Sequence, residues 1–255
     1  MRREAAGAGL DAEQARAAAL GMKGMIRVGR PFLDFVISGL ADAGITDVCL
    51  VIGPEHDAIR HHYSSGVRPA RVRVQFAEQA EPRGTADAVA AARAFAGSSP
   101  FLSLNADNLY PADAYRLLAE LDGAGLIGFQ PSGLLAASNI PPERLRQFAL
   151  IEADGEGHLR DILEKPDDAT YERLVGHSLI SMNLWAFMPA IFEACARVEP
   201  SERGELEIQD AVRIAIRELG ERFRVLPFSG GVLDLSTRGD VAEVARRLAG
   251  VRVTL

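Results

Sequence analysis

Four short stretches carry residue types able to do chemistry. The apolar run Phe101-Leu102-Ser103-Leu104 leads straight into Asn105-Ala106-Asp107-Asn108, placing a short, hard carboxylate where a buried strand ends. Such a group suits Mg²⁺, usually held by one or two carboxylates plus phosphate oxygens. It equally suits capping of a helix that starts near Pro111. In Gln79-Ala80-Glu81-Pro82-Arg83-Gly84-Thr85, the Gln amide can both donate to and accept from a base edge, and a Gly at a helix start lets backbone approach a ligand. A capped helix start with Thr85 or Asp87 explains the same residues. Glu164-Lys165-Pro166 sets opposite charges on alternate faces of a strand end, fit for a sugar hydroxyl and a phosphate, or for an ordinary exposed strand end. Glu205-Leu206-Glu207-Ile208-Gln209-Asp210 brings three acids into the first turns of a helix, where the macrodipole favours them whatever their role.

Short β-rich runs alternate with helical periodicity along nearly the whole chain. Helices are predicted over Leu10 to Leu20, Pro31 to Ala43, Asp57 to Tyr63, Thr85 to Phe95 and Pro111 to Leu121, with strands over Asp47 to Ile52, Arg71 to Phe76, Phe101 to Asn105 and Leu126 to Phe129. That order implies a doubly wound α/β, mostly parallel sheet with right-handed crossovers. Further on, Phe148 to Glu152 and His158 to Glu164 flank Asp154-Gly155-Glu156-Gly157, a hairpin signature, and Ser178 to Phe187 reads as a long strand. Helices over Pro189 to Val198, Glu205 to Leu219 and Arg238 to Leu248 complete the pattern. No linker composition interrupts residues 1–255, so a single domain with a smaller antiparallel extension is expected. In such sheets ligands bind at the carboxyl ends of the strands, where Gln79 and Asp107 fall.

The 255 residues carry 28 Lys plus Arg against 35 Asp plus Glu, a net charge of −7. That balance argues against nucleic acid as a partner. No apolar run approaches the roughly 18–20 residues of a membrane span, and the amino-terminal residues lack a signal-peptide core, so no membrane partner and a cytoplasmic location are expected. Two cysteines, Cys49 and Cys195, suit reduced buried thiols. His56, His61 and His62 do not have the i, i+4 spacing that puts a metal pair on one helix face. Phosphate-loop, nucleophile-elbow and Cys-x-x-Cys patterns are absent.

Taken in order, these stretches resemble the sugar-phosphate nucleotidyltransferase family, from Lys23 to about Leu248. Lys23-Gly24-Met25-Ile26-Arg27-Val28-Gly29-Arg30-Pro31 is similar to the family's lysine, apolar run and Gly-Lys/Arg-Pro turn. The resemblance implies a GT-A-like, Rossmann-like fold with a nucleotide-binding lobe in the first half and a sugar-binding lobe in the second. It implies that a sugar 1-phosphate oxygen attacks the α-phosphorus of a nucleoside triphosphate and that pyrophosphate leaves. UTP or dTTP with glucose 1-phosphate is the implied substrate pair. Mg²⁺ would be held by Asp107 and Asp210, phosphates by Lys23 and Lys165, the base by Gln79 with Gly84 and Thr85, and the sugar by Glu164 and Asn183. A homo-oligomer is left open, because the sequence does not give the oligomeric state. Two departures stand out. Ala149 replaces a frequent Gly, and no apolar strand with a Gly-x-Gly-x-Arg loop precedes Lys23. Either the polypeptide starts upstream of Met1, which is the favoured expectation, or the chain is an inactive nucleotide-sugar-binding regulatory homologue that has lost this loop.

Overall fold

The computed structural model describes Gln14, residues 21–164 and residues 166–255. Lys165 and, Gln14 apart, the helix expected over Leu10 to Leu20 lie outside the described residues. The chain enters through a 3-10 turn, Lys23–Met25, and continues into α1 (Phe32–Asp42), whose fixed-φ Pro31 stands just ahead of the first turn. Gly44, at φ +88°, closes this helix. Its N–H donates to the Ala41 carbonyl and that of Ile45 to the Leu40 carbonyl, both at 3.0 Å, the paired bonds of a Schellman motif. The closure aims the chain into β1 (Asp47–Ile52).

After α2 (Asp57–His61) and a π turn (His62–Gly66), β2 (Arg73–Glu78) pairs in parallel with β1, from Asp47↔Arg73 to Ile52↔Glu78. The single helix predicted over Thr85 to Phe95 is two, α3 (Thr85–Ala91) and α4 (Arg93–Ala96). At the break the Ala92 N–H donates to the Val89 carbonyl, three residues back, at 3.0 Å, a tightened turn between the two helices. There follow β3 (Phe101–Ser103), β4 (Asn108–Leu109), α5 (Ala112–Ala119) and β5 (Ala124–Phe129).

The second half contains α6 (Pro131–Ala137), α7 (Pro142–Leu145), β6 (Ala149–Ala153), β7 (Leu159–Leu163), α8 (Asp168–Leu174), β8 (Leu179–Phe187), α9 (Ile191–Cys195), α10 (Ile208–Glu218), β9 (Phe223–Phe228), β10 (Leu233–Asp234) and α11 (Asp240–Leu248). The predicted hairpin is β6–β7. Asp154 closes its turn by accepting from the N–H groups of Glu156 and His158, both at 2.9 Å. Those donors hold its carboxyl below the usual range.

The large sheet has the order β7-β6-β8-β5-β9, with β3 on the carboxyl half of β8. Because β3, β5 and β6 are each antiparallel to β8, and β9 is parallel to β5, those four strands run one way and β8 the other. β5 alternates its side chains between two cores. Ile127 and Phe129 join α1 and Tyr115, whereas Leu126 joins Trp185 and Ala211 of α10. The sheet is thus sandwiched between helical layers, an α/β fold with an antiparallel addition. β9, which the sequence pattern does not mark, contains Pro227 and ends the strand order, where a missing N–H is tolerated. Cys49 and Cys195 are free thiols, and burial pushes the second up to about 12.

Candidate active site

The 3-10 turn places Lys23 against the loop after β3. Its Nζ lies 2.6 Å from Asp107 Oδ2, with the side chains 28% and 19% exposed. Gly24 makes this approach possible, since a Cβ there would stand 3.2 Å from Leu33 Cβ and 3.4 Å from the Ala106 carbonyl oxygen. Behind Asp107 the loop is fixed by backbone and by a buried ionic cluster. The Leu235 N–H donates to the Asp107 carbonyl at 2.8 Å, and Asn108 Nδ2 donates to Asp234 Oδ1 at 2.8 Å across the β4–β10 ladder. Arg144 pairs with both Asp234 and Asp240, the latter at 2.6 Å. Burial pushes the Asp234 carboxyl above the ordinary range. Asn139 bonds both backbone groups of Asp234. Sequence reasoning missed this cluster because its members come from three distant stretches, at Asn108, Asn139 to Arg144 and Asp234 to Asp240, none with a motif of its own.

Gln79, one residue past β2, ties its N–H to the Ile52 carbonyl. Its Nε2 donates to the Gly84 carbonyl at 3.0 Å and to Asp87 Oδ2 at 2.8 Å. The amide is thereby oriented, and among the described residues its Oε1 has no hydrogen-bond partner. Gly84, at φ +125°, lies so close to Leu206 that a Cβ would come within 2.5 Å of the Leu206 backbone N and O. Leu206 donates to the Arg83 carbonyl at 2.7 Å and accepts from Ala86 at 2.8 Å, while Thr85 Oγ1 accepts from the Ile208 N–H at 2.9 Å. Gly84 and Thr85 therefore dock the start of α10 onto the Gln79 segment. Gly84→Ala combines a left-handed backbone with a backbone clash. It is expected to cost about 1–3 kcal/mol or more in urea denaturation. Unchanged stability would mean that the two segments separate freely.

Asn183 adopts φ +58° inside β8, where Asn is the side chain that tolerates this region best. The cause is a bulge: from Leu126↔Trp185 to Gly128↔Ser181 the register advances two residues along β5 and four along β8. Tyr110 OH donates to the Met182 carbonyl at 2.5 Å and pins the bulge. Asn183 Oδ1 accepts from Gln209 Nε2 at 3.1 Å, beside a Gln209 Oε1 that is buried without a partner among the described residues.

Asp210, next along α10, pairs with Arg213 at 2.6 Å. Arg213 also reaches Asp161 at 3.1 Å and the Ile162 carbonyl, both on β7. Asn105, Ala106, Asn183, Thr85 and Ile208 line one cavity, so residues neighbouring Asp107 and Asp210 border one space, whereas Lys23, Gln79, Asp107 and Asp210 do not themselves line it. Asp107 and Asp210 each have one carboxylate oxygen unengaged among the described residues. Hard oxygens of this kind fit a divalent cation that completes its shell with phosphate. Among the described residues no cluster of three or more His, Cys, Asp or Glu is built to hold a metal by itself. Glu164 is exposed just past β7, Lys165 lies outside the described residues, and Ala149 is buried on β6. His56 accepts from the Gly53 N–H and His62 pairs with Asp34, which occupies both in local structure.

Similar proteins have been named for one kind of chemistry. The UTP–glucose-1-phosphate uridylyltransferase AglF of Haloferax volcanii is 27% identical over 89% of this chain and 87% of its own length. A glucose-1-phosphate thymidylyltransferase of Streptomyces griseus is 30% identical over 85% of this chain and 57% of its own. The low-salt glycan biosynthesis nucleotidyltransferase Agl11 of Haloferax volcanii is 28% identical, and the chain spans about half of its length (49%). The crystal structure of a UDP-glucose pyrophosphorylase complexed with UDP-glucose superimposes with a TM-score of 0.70 at 18% identity, covering 90% of this chain and 91% of that one, which shows a shared fold. The profile described as Nucleotidyl transferase matches residues 21–230, from the turn before Lys23 to the end of β9, and the chain belongs to that family.

Proposed function

We propose that this protein transfers a nucleotidyl group from UTP or dTTP to glucose 1-phosphate, giving a nucleotide sugar and pyrophosphate. The observation that carries the reading is the Lys23–Asp107 pair just past a strand end, beside a cavity bordered by Asn105, Thr85 and Ile208. Named relatives acting on glucose 1-phosphate support the sugar.

Little covalent work falls to such a protein, because phosphoryl chemistry is accelerated mainly by positioning and charge neutralisation. Lys23 would sit against the phosphates, its ammonium held in place by Asp107. Lys165 would take a second phosphate, Glu164 and Asn183 the sugar hydroxyls, and the Gly84–Thr85 turn the nucleotide's backbone side. Mg²⁺ held by Asp107 and Asp210 would supply neutralisation of the triphosphate's charge. Gln79, with its Nε2 already committed, presents an acceptor, which suits the ring N–H of uracil or thymine.

Two measurements test this. Pyrophosphate release with glucose 1-phosphate is expected with UTP or dTTP in preference to ATP and GTP, and a purine preference overturns the base assignment. Gln79→Ala is expected to weaken pyrimidine nucleotide binding by about 1–3 kcal/mol in calorimetry, the cost of an unpaired buried partner.

A further inference from the structure

The backbone of Asn183 is fixed on both sides. Its N–H donates to the Oγ of the buried Ser181 at 3.3 Å, and the preceding carbonyl, that of Met182, accepts from Tyr110 OH. With φ at +58° inside the bulge, the side chain keeps only its own torsions, and the hydrogen bond that sets them runs from Gln209 Nε2 to Asn183 Oδ1. Gln209 is 4% exposed, in the first turn of α10 between Ile208 and Ala211 of the apolar core. That turn is itself docked, because the Ile208 N–H donates to Thr85 Oγ1.

A primary amide in that layer is destabilising by itself. Gln209 Oε1 is buried with no hydrogen-bond partner among the described residues, and an unmatched buried acceptor weakens a fold. An apolar side chain of the same length would fill the same space without it. What Gln209 supplies is the direction of the neighbouring amide. With Oδ1 taken, the half of Asn183 left over is Nδ2, which has no partner among the described residues, on a side chain that lines the cavity beside Asn105 and Thr85. An amide free to turn offers either a donor or an acceptor, whereas this one offers a donor.

We propose that Gln209 is a positioning residue that fixes Asn183 as a hydrogen-bond donor, through Nδ2, to a hydroxyl oxygen of the sugar in the nucleotide sugar. The inference rests on the nucleotidyl-transfer reading above and adds to it the polarity of one sugar contact and the residue that sets it. Gln209 does not line the cavity and acts through Asn183, so its effect is expected in the sugar's share of binding alone.

Trp185 is the single tryptophan of the chain and lines the same cavity, so its fluorescence reports binding of a matched pair, UDP and UDP-glucose or dTDP and dTDP-glucose, whichever the parent chain binds more tightly. The ratio of the two affinities isolates the sugar. Gln209→Met is expected to lower affinity for the nucleotide sugar about five- to tenfold, the scale of one oriented hydrogen bond, to leave nucleoside diphosphate binding unchanged, and to keep or raise Tm, because the unmatched acceptor goes with it. A purely structural Gln209 predicts the opposite pattern, a lower Tm with an unchanged ratio. Asn183→Gly, which accepts the left-handed backbone, is expected to lose as much or more, and adding Gln209→Met to it is expected to lose nothing further. Should Gln209→Met fail to fold, the parent chain supplies the readout: with nitrogen-15 labelling, the Asn183 side-chain amide protons are expected to shift with the nucleotide sugar and not with the nucleoside diphosphate. An unchanged ratio in Gln209→Met, additive losses in the double variant, or an Asn183 amide indifferent to a nucleotide sugar that binds would each overturn the proposal while leaving the nucleotidyl-transfer reading in place. A parent chain that binds none of the four compounds fails that reading, and the proposal falls with it.

Discussion

Asp107→Asn is expected to lower pyrophosphate release from UTP or dTTP with glucose 1-phosphate by about 10²- to 10³-fold, the scale of removing one preorganised electrostatic group. Folding should survive, because the loop is held by other atoms. The Asp107 carbonyl is anchored by Leu235, and Asn108 by Asp234. What the change removes is the negative partner 2.6 Å from Lys23, the carboxylate proposed as a ligand for a divalent cation. A second readout does not depend on turnover. Nucleotide binding measured with Mg²⁺ and again with chelator should differ in the unchanged chain and be alike in Asp107→Asn. Retained cation dependence, or turnover within a few-fold of the parent, would remove Asp107 from the proposed site.

The sequence made the strand ends legible and left much of their support hidden. Asp107 and Gln79 could be found because each follows an apolar run that must be a strand, and a doubly wound sheet gathers such ends on one side. Residue type alone did not reveal what Gly84 does. A glycine before a helix suggests room for a ligand, while the structure spends it on contact with the Leu206 backbone, which docks the start of α10 onto the Gly84–Thr85 turn. Asn183 was a polar residue in an apolar strand, and only the bulge pinned by Tyr110 explains its conformation. β4 and β10 are two residues each, too short for any period to register.

The cluster behind Asp107 yields the second large effect. Arg144, 15% exposed on its side chain, is the cation between Asp234 and Asp240, which are 2% and 8% exposed. Arg144→Met keeps much of the volume and removes the charge, leaving two buried carboxylates uncompensated. Breaking a buried pair in this way costs about 3–5 kcal/mol, a large share of the stability of an ordinary domain. The pH dependence has a definite sign. Burial raises the Asp234 carboxyl above its unfolded value of 3.8, so the folded state binds that proton more readily. Its contribution to stability is therefore greatest at low pH and declines as pH rises through the raised value. Without Arg144 the carboxyl rises further, so Arg144→Met should lose most at neutral pH and recover part of the loss on acidification. Urea denaturation of parent and variant at pH 7 and pH 5 reads this directly. An equal deficit at both values would show that lost packing, not charge, is responsible. Adding Asp234→Asn to Arg144→Met should restore part of the stability at pH 7, since an amide needs no countercharge and still accepts from Asn108 Nδ2, while Asp240 keeps its share of the cost. Failure of that rescue would place the cost on Asp240 instead.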